Sequence, residues 1–188
     1  YTGLLDGIRS NTNYLERSKQ ELLVLSGSDI IYNARLDEIL RFHQDTDAAV
    51  TLMYTRDPSM QRDERGTYLK IDESGNVTDM EVQPTKPSYE NTYMKVLVIK
   101  RELLQTLVDK AVAHGQHDLD RDLLLKMVQE GQYKVNAYEY KGECWRIDSV
   151  QSFFKLNMDL LNPEKRKGIF RDELPVYTKV RDEMPTYY

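Results

Sequence analysis

Two aspartates stand where an α/β fold could use them for chemistry. Asp29 follows the apolar run "ELLVLSGS", and Asp148 follows "ECWRI". In open α/β sheets, ligands bind beyond the carboxyl ends of the strands. Two carboxylates converging there can hold a divalent cation on phosphate oxygens. Each residue also has a plainer reading. Asp148 precedes Ser149 and a helical pattern, so either residue suits a helix N-cap. Asp29 is less readily a cap, because Ile30, Ile31 and Tyr32 do not open an obvious helix. Its position leaves capping and ligand binding both open.

The other reactive residue types have structural explanations. His43 lies on an apolar helix face and reads as a hydrogen-bonded core histidine. His114 closes a helix, where a cation suits the dipole. His117 and Asp118 lead into an acidic first turn that N-capping by Asp118 explains. The single cysteine, Cys144, has no partner for an internal disulfide and no Cys/His spacing for zinc. It reads as a buried, inert thiol, which fits a reducing cytoplasm. The chain has no GxGxxG, Walker or G-x-S-x-G sequence.

The elements that must position the two aspartates follow from hydrophobic period. "LLDGIRSNTNYLERSKQ" reads as one or two helices, ahead of a buried strand over 21–25. "ARLDEILRFHQD" has helical spacing, and "AAVTLMYTR" has β-branched and aromatic strand content. Strand, helix and strand make a βαβ unit whose two strands should be parallel and buried. "GTYLKIDESGNVTDMEV" predicts a hairpin about "ESGN". "YMKVLVIKRELLQTLVDKAVAHG" predicts a strand running into a helix ended by Gly115, and "HDLDRDLLLKMVQEG" a helix ended by Gly131. "YKVNAYEYKGECWRI" predicts a second hairpin with Gly142 in its turn, and "DSVQSFFKLNMDLLNP" a helix with Pro163 past its end. "EKRKGIFR" reads as a solvated basic turn, and "LPVYTKVRDEMPTYY" as a strand or linker leaving the domain. The expected class is α/β, a mostly parallel sheet interrupted by a hairpin excursion.

Composition sets the outer bounds. The chain has 188 residues, of which 40% are hydrophobic and 30% charged, a globular balance with room for one sizeable core. A net charge of -5 argues against a general nucleic-acid binder. No apolar run approaches the ~20 residues that span a bilayer, and nothing resembles a signal peptide.

Five stretches, in order, carry a family resemblance: "YTGLLDGIRSN", "VLSGSDIIYN", "HDLDRDLL", "WRIDSVQSFFKLNMDLL" and "PVYTKVRDEMPT". Together they resemble the bacterial ADP-glucose pyrophosphorylase (glucose-1-phosphate adenylyltransferase) family, most of all its regulatory, GlgD-type subunit of glycogen biosynthesis. The resemblance implies a Rossmann-like nucleotidyltransferase domain. Residues 1–175 would be its central and C-terminal part, with the glycine-rich nucleotide loop before Tyr1. Residues 176–188 would link toward a left-handed β-helix domain. It also implies a cytoplasmic protein, magnesium as cofactor, ATP and glucose 1-phosphate as ligands, and a catalytic paralogous subunit as partner in a heterotetramer.

The resemblance assigns site residues one by one. The family's L-A-G-D-H, whose Asp binds metal, reads here Ser26-Gly27-Ser28-Asp29-Ile30. Asp29 matches the metal ligand, while Ser28 replaces the glycine. The family's W-R-D-V-G-T, with the second metal Asp, reads Trp145-Arg146-Ile147-Asp148-Ser149, the acid displaced by one residue. The family's V-E-K-P, which supplies a lysine for the sugar phosphate, reads Glu81-Val82-Gln83-Pro84. A neutral amide cannot replace an ammonium facing a phosphate dianion. The family's G-T-A-D near the base reads Gly3-Leu4-Leu5-Asp6. These changes imply a weak or inactive subunit that adjusts an active paralogue. Two other readings stand beside it: a competent transferase using Asp29 and Asp148 in a changed geometry, and a phosphosugar or nucleotide-sugar binding module.

Overall fold

A computed structural model describes residues 4–60 and 65–177. Helices α1 (Leu4–Ser10) and α2 (Thr12–Arg17) precede strand β1 (Leu22–Ser26), strand β2 (Ile30–Tyr32), helix α3 (Leu36–Asp45) and strand β3 (Val50–Thr55). Strands β4 (Thr67–Ile71), β5 (Val77–Val82) and β6 (Asn91–Lys100) follow, then helix α4 (Arg101–Ala113). A π-helical segment (Leu119–Leu124) runs into α5 (Leu125–Glu130), before β7 (Val135–Glu139), β8 (Cys144–Arg146), α6 (Val150–Leu160) and α7 (Pro163–Ile169).

The α/β class and the hairpin excursion of β4 and β5 hold, but the strand directions are mixed. The main sheet has the order β5-β4-β6-β3-β7, with β1 also pairing β6. β6 is antiparallel to β1, β3 and β4, and only β3–β7 is a parallel pair. The expected βαβ relation survives in direction. β1 and β3 both oppose β6, so they run the same way, but β6 lies between them. Long-range insertion of this kind leaves no trace in a local hydrophobic period.

β6 is the spine of the fold because its two faces build two cores. Tyr93, Leu97 and Ile99 join Leu52, Leu104, Val108 and Leu124 in one cluster. Met94, Val96 and Val98 join Met53, Ile39, Ile30 and Cys144 in the other. This is the strand's period of two, and it lets α4 and the π-helical segment cover one face while α3 covers the other.

Several local expectations are met. Gly131 caps α5 in the left-handed conformation at φ 62, and Gly115, at φ 67, follows α4. The Asp118 carboxylate accepts from Arg121 N at 2.9 Å. Ser149 rather than Asp148 is the N-cap of α6: its Oγ accepts from Ser152 N at 3.1 Å, and Ser152 Oγ accepts from Ser149 N at 3.0 Å, a capping box. Cys144 is buried, and burial pushes its thiol up to about 11.

Three expectations are corrected. "YKVNAYEYKGECWRI" is not a hairpin. β7 joins the main sheet beside β3, whereas β8 pairs antiparallel with β2 in a separate two-stranded sheet. Gly142 answers a steric demand instead of a hairpin turn, since a Cβ there would lie 2.4 Å from the Tyr140 hydroxyl. "HDLDRDLLLKMVQEG" begins as π-helix before becoming α. The basic stretch forms helix α7, capped by Asn162 with Pro163 in its first turn, instead of a turn. Of the expected linker 176–188, Val176 and Tyr177 are exposed, and 178–188 lie outside the described residues, as does Gly3 of the Gly3-Leu4-Leu5-Asp6 match.

His43 is 2% exposed, and its Nδ1 lies 2.8 Å from Thr51 Oγ1. Burial, then the Lys100 charge, lower its pKa from the ordinary 6.5, with Asp47 opposing. The unfolded chain therefore binds this proton more readily than the fold does. Stability from His43 is complete above about pH 6.5 and is lost as pH falls from there toward the folded value. Urea midpoints measured from pH 8 down to pH 5 should decline, and H43Q should flatten that decline. An unchanged slope in H43Q would remove His43 as its source.

Candidate functional site

The site is built where β1 ends against the middle of β6. Gly27 N donates to the Lys95 carbonyl at 2.9 Å. A Cβ on Gly27 would stand 2.9 Å from Asp29 Oδ1 and 3.1 Å from Lys95 Cβ. Glycine at this position lets the turn approach β6 without displacing the Asp29 carboxylate or crowding Lys95. The turn also ends β1 and starts β2, so Asp29 sits between the two sheets. Its carbonyl accepts from Ile147 N at 2.7 Å, and its Oδ2 lies 3.8 Å from Arg146 Nε. A cavity of about 250 Å³ opens beside it, lined by Leu4, Gly27, Asp29, Lys95 and Asp118–Asp120.

A buried ion pair forms one wall. Lys95 Nζ donates to Asp120 Oδ2 and, at 3.2 Å, to Thr67 Oγ1, while Thr67 Oγ1 donates to the same carboxylate oxygen at 2.6 Å. The Asp120 side chain is 5% exposed and that of Lys95 24%. Lys95 Nζ also sits 5.7 Å from the centre of the Tyr93 ring. Charges withdrawn from water this far persist only when paired and hydrogen-bonded. Lys95 has φ 56, a left-handed backbone at a β-bulge that costs a non-glycine residue energy.

Neither Lys95 nor Asp120 stands out as a site residue in the sequence, where Asp120 is only one of the acids of a helical first turn. A signal is present: Lys95 is the one charged position within the strand interior "YMKVLVI", on the same alternating face as Tyr93 and Leu97. The π-helical segment that carries Asp120 is a second signal, since such segments concentrate at functional sites.

The sequence-designated residues are distributed as follows. Asp148 is ion-paired with Arg65 and lines a different cavity of about 320 Å³, with Ser59, Trp145, Ser152 and Lys155. Ser28 is exposed at the turn tip. Asp6, on α1, pairs with His117 Nδ1 at 3.0 Å. Gln83 is exposed at φ 52; its N–H donates to the Gly66 carbonyl at 2.9 Å, and its Oε1 accepts from Arg121 Nη2 at 3.5 Å. Asp29 thus meets Lys95 and Asp120 at one cavity while Asp148 belongs to another. Among the described residues no cluster of three or more His, Cys, Asp or Glu is arranged to hold a metal ion. Asp29 and Asp148, the carboxylates that would hold a magnesium ion, line separate cavities, each beside an arginine, Arg146 and Arg65 respectively. The largest cavity described, about 600 Å³ between α3 and β7, contains none of these residues. No helix among the described residues is long and apolar enough to cross a membrane.

A mixed α/β sheet gathers charged groups where β1 ends, the kind of position at which open α/β sheets bind ligands. The comparison with known families is more specific: the nucleotidyl transferase family model matches residues 1–163, and the chain belongs to that family. Its curated relatives include the glucose-1-phosphate adenylyltransferase of Aliivibrio fischeri, 27% identical over 198 residues, covering 95% of this chain and 48% of that protein. That of Bacillus subtilis is 24% identical over 189 residues, covering 100% and 49%. Glucose-1-phosphate adenylyltransferase 1 of Vibrio cholerae is 26% identical over 200 residues, covering 95% and 48%. The chain spans about half the length of the curated relatives it matches.

Proposed function

We propose that this chain belongs to a regulatory subunit of an ADP-glucose pyrophosphorylase in glycogen biosynthesis, with weak or no catalysis of its own. It assembles with a catalytic paralogous subunit in the cytoplasm and adjusts that subunit's use of ATP and glucose 1-phosphate. The observation that carries the reading is Gln83, a neutral amide where the resemblance calls for the lysine that meets the sugar phosphate. Two placements support it: Asp148 is engaged by Arg65, and Lys95 and Asp120 neutralise each other beside Asp29.

Q83K is the direct test. Restoring an ammonium opposite a phosphate dianion is expected to raise glucose 1-phosphate affinity about tenfold in calorimetric titration. Equal affinities for both forms would remove the argument from Gln83. A second reading, a competent transferase, is favoured by one contact. Arg121 Nη2 reaches Gln83 Oε1, so a guanidinium stands near the position of the missing ammonium. Measurable turnover by the protein alone separates this reading from the first.

A further inference from the structure

The cavity beside Asp29 has a smaller neighbour of about 80 Å³, lined by Ser26, Leu25, Tyr93 and Leu97 among others. The two share Leu4, Gly27, Lys95, Leu119 and Asp120. They are two parts of one cleft, and Lys95 is the only long, flexible cationic side chain among the shared residues. Its ammonium takes up hydrogen-bonding capacity of Asp120, which lines both parts of the cleft, and bonds the buried Thr67 hydroxyl behind it. Its backbone adopts φ 56, which glycine accepts without strain. On the other side, Gly27 closes against Lys95 Cβ.

We propose that the Lys95 side chain narrows this cleft and engages its Asp120 wall, excluding a small polyhydroxylated ligand that would otherwise bind the Asp120 carboxylate. The chemistry selects the ligand class. Asp29, Asp118 and Asp120 all line the larger part. These three carboxylates face one ammonium in the cleft, with Arg146 beside Asp29, so the lining is rich in acceptors for hydroxyl donors and suits the neutral ring of a sugar. This choice of sugar rests on the proposed function, and glucose is therefore the probe.

The test uses the 188-residue chain as wild type, K95M and K95G/D120N, titrated with glucose and with glucose 1-phosphate. K95G/D120N empties the cleft without stranding a buried carboxylate, and the amide it introduces can still exchange hydrogen bonds with Thr67. It is expected to bind glucose at least about tenfold tighter than wild type, and glucose 1-phosphate more weakly than glucose. K95M keeps the length without the charge and is expected to gain nothing. No gain in a folded K95G/D120N, or an equal gain in K95M, overturns steric occupancy. The wild-type chain alone also decides the matter: shifts of the Gly27 and Leu119 amide resonances on adding glucose to about 1 mM would show the cleft already open. None of these outcomes depends on turnover or a partner subunit, so the proposal and the regulatory reading can fail separately.

Discussion

K95A is expected to lower stability by about 3–5 kcal/mol, the usual cost of removing one partner of a buried ion pair. For a chain of this size that is a fall of roughly 6–20 °C in Tm. The carboxylate left behind, Asp120, is 5% exposed and keeps only the Thr67 hydroxyl among its hydrogen-bond partners at this site. The double variant K95A/D120N should recover most of that loss, because the remaining amide is neutral and can still bond Thr67. Thermal unfolding followed by circular dichroism checks both. If the double variant is as unstable as the single one, the loss comes from packing around the β6 bulge and not from the stranded charge. The pair matters functionally because it commits a cation and an anion to each other next to Asp29.

Much of this fold is readable residue by residue. The caps of α5 and α6 and the β4–β5 hairpin depend on neighbours within a few positions, and the burial of His43 and Cys144 follows from residue type and the apolar face each occupies. Local period and turn chemistry report such features directly. β6 between β1 and β3, and β8 paired with β2, depend on contacts across many residues. "YKVNAYEYKGECWRI" shows why these are not readable. Its two strands have the pattern of a hairpin, and only the tertiary pairing sends them to different sheets. Gly142 looks like turn chemistry but makes room for the ring of Tyr140, whose hydroxyl is held by the Asn33 backbone, a partner that local spacing does not identify.

The candidate site is legible to a similar degree. The end of β1 is marked by its sequence as a place of interest, and Asp29 does line a cavity there. Its companions are not marked, because Thr67, Lys95 and Asp120 come from β4, β6 and the π-helical segment. Three elements distant in sequence meet at one carboxylate oxygen, and no spacing rule connects them. Lys95 is the readable clue, a charge on the core-facing side of an apolar strand. The altered flanks of Asp29 now have a structural companion: its nearest charged surroundings are protein cations and acids already in contact with one another.

The central claim is that this protein adjusts catalysis without performing it. The transferase reaction depends on positioning and on neutralising phosphate charge. Gln83 lacks the charge, and Asp148 faces a different cavity from Asp29. Loss of such groups costs orders of magnitude in rate, so the effect should be large. The most direct measurement is pyrophosphate release from ATP, glucose 1-phosphate and magnesium by the protein at its full natural length, alone and mixed with the catalytic paralogue. Release at background is expected from the protein alone, with altered kinetics of the paralogue in the mixture. Turnover by the protein alone in the ordinary enzymatic range, about 1–10³ s⁻¹, would contradict the claim.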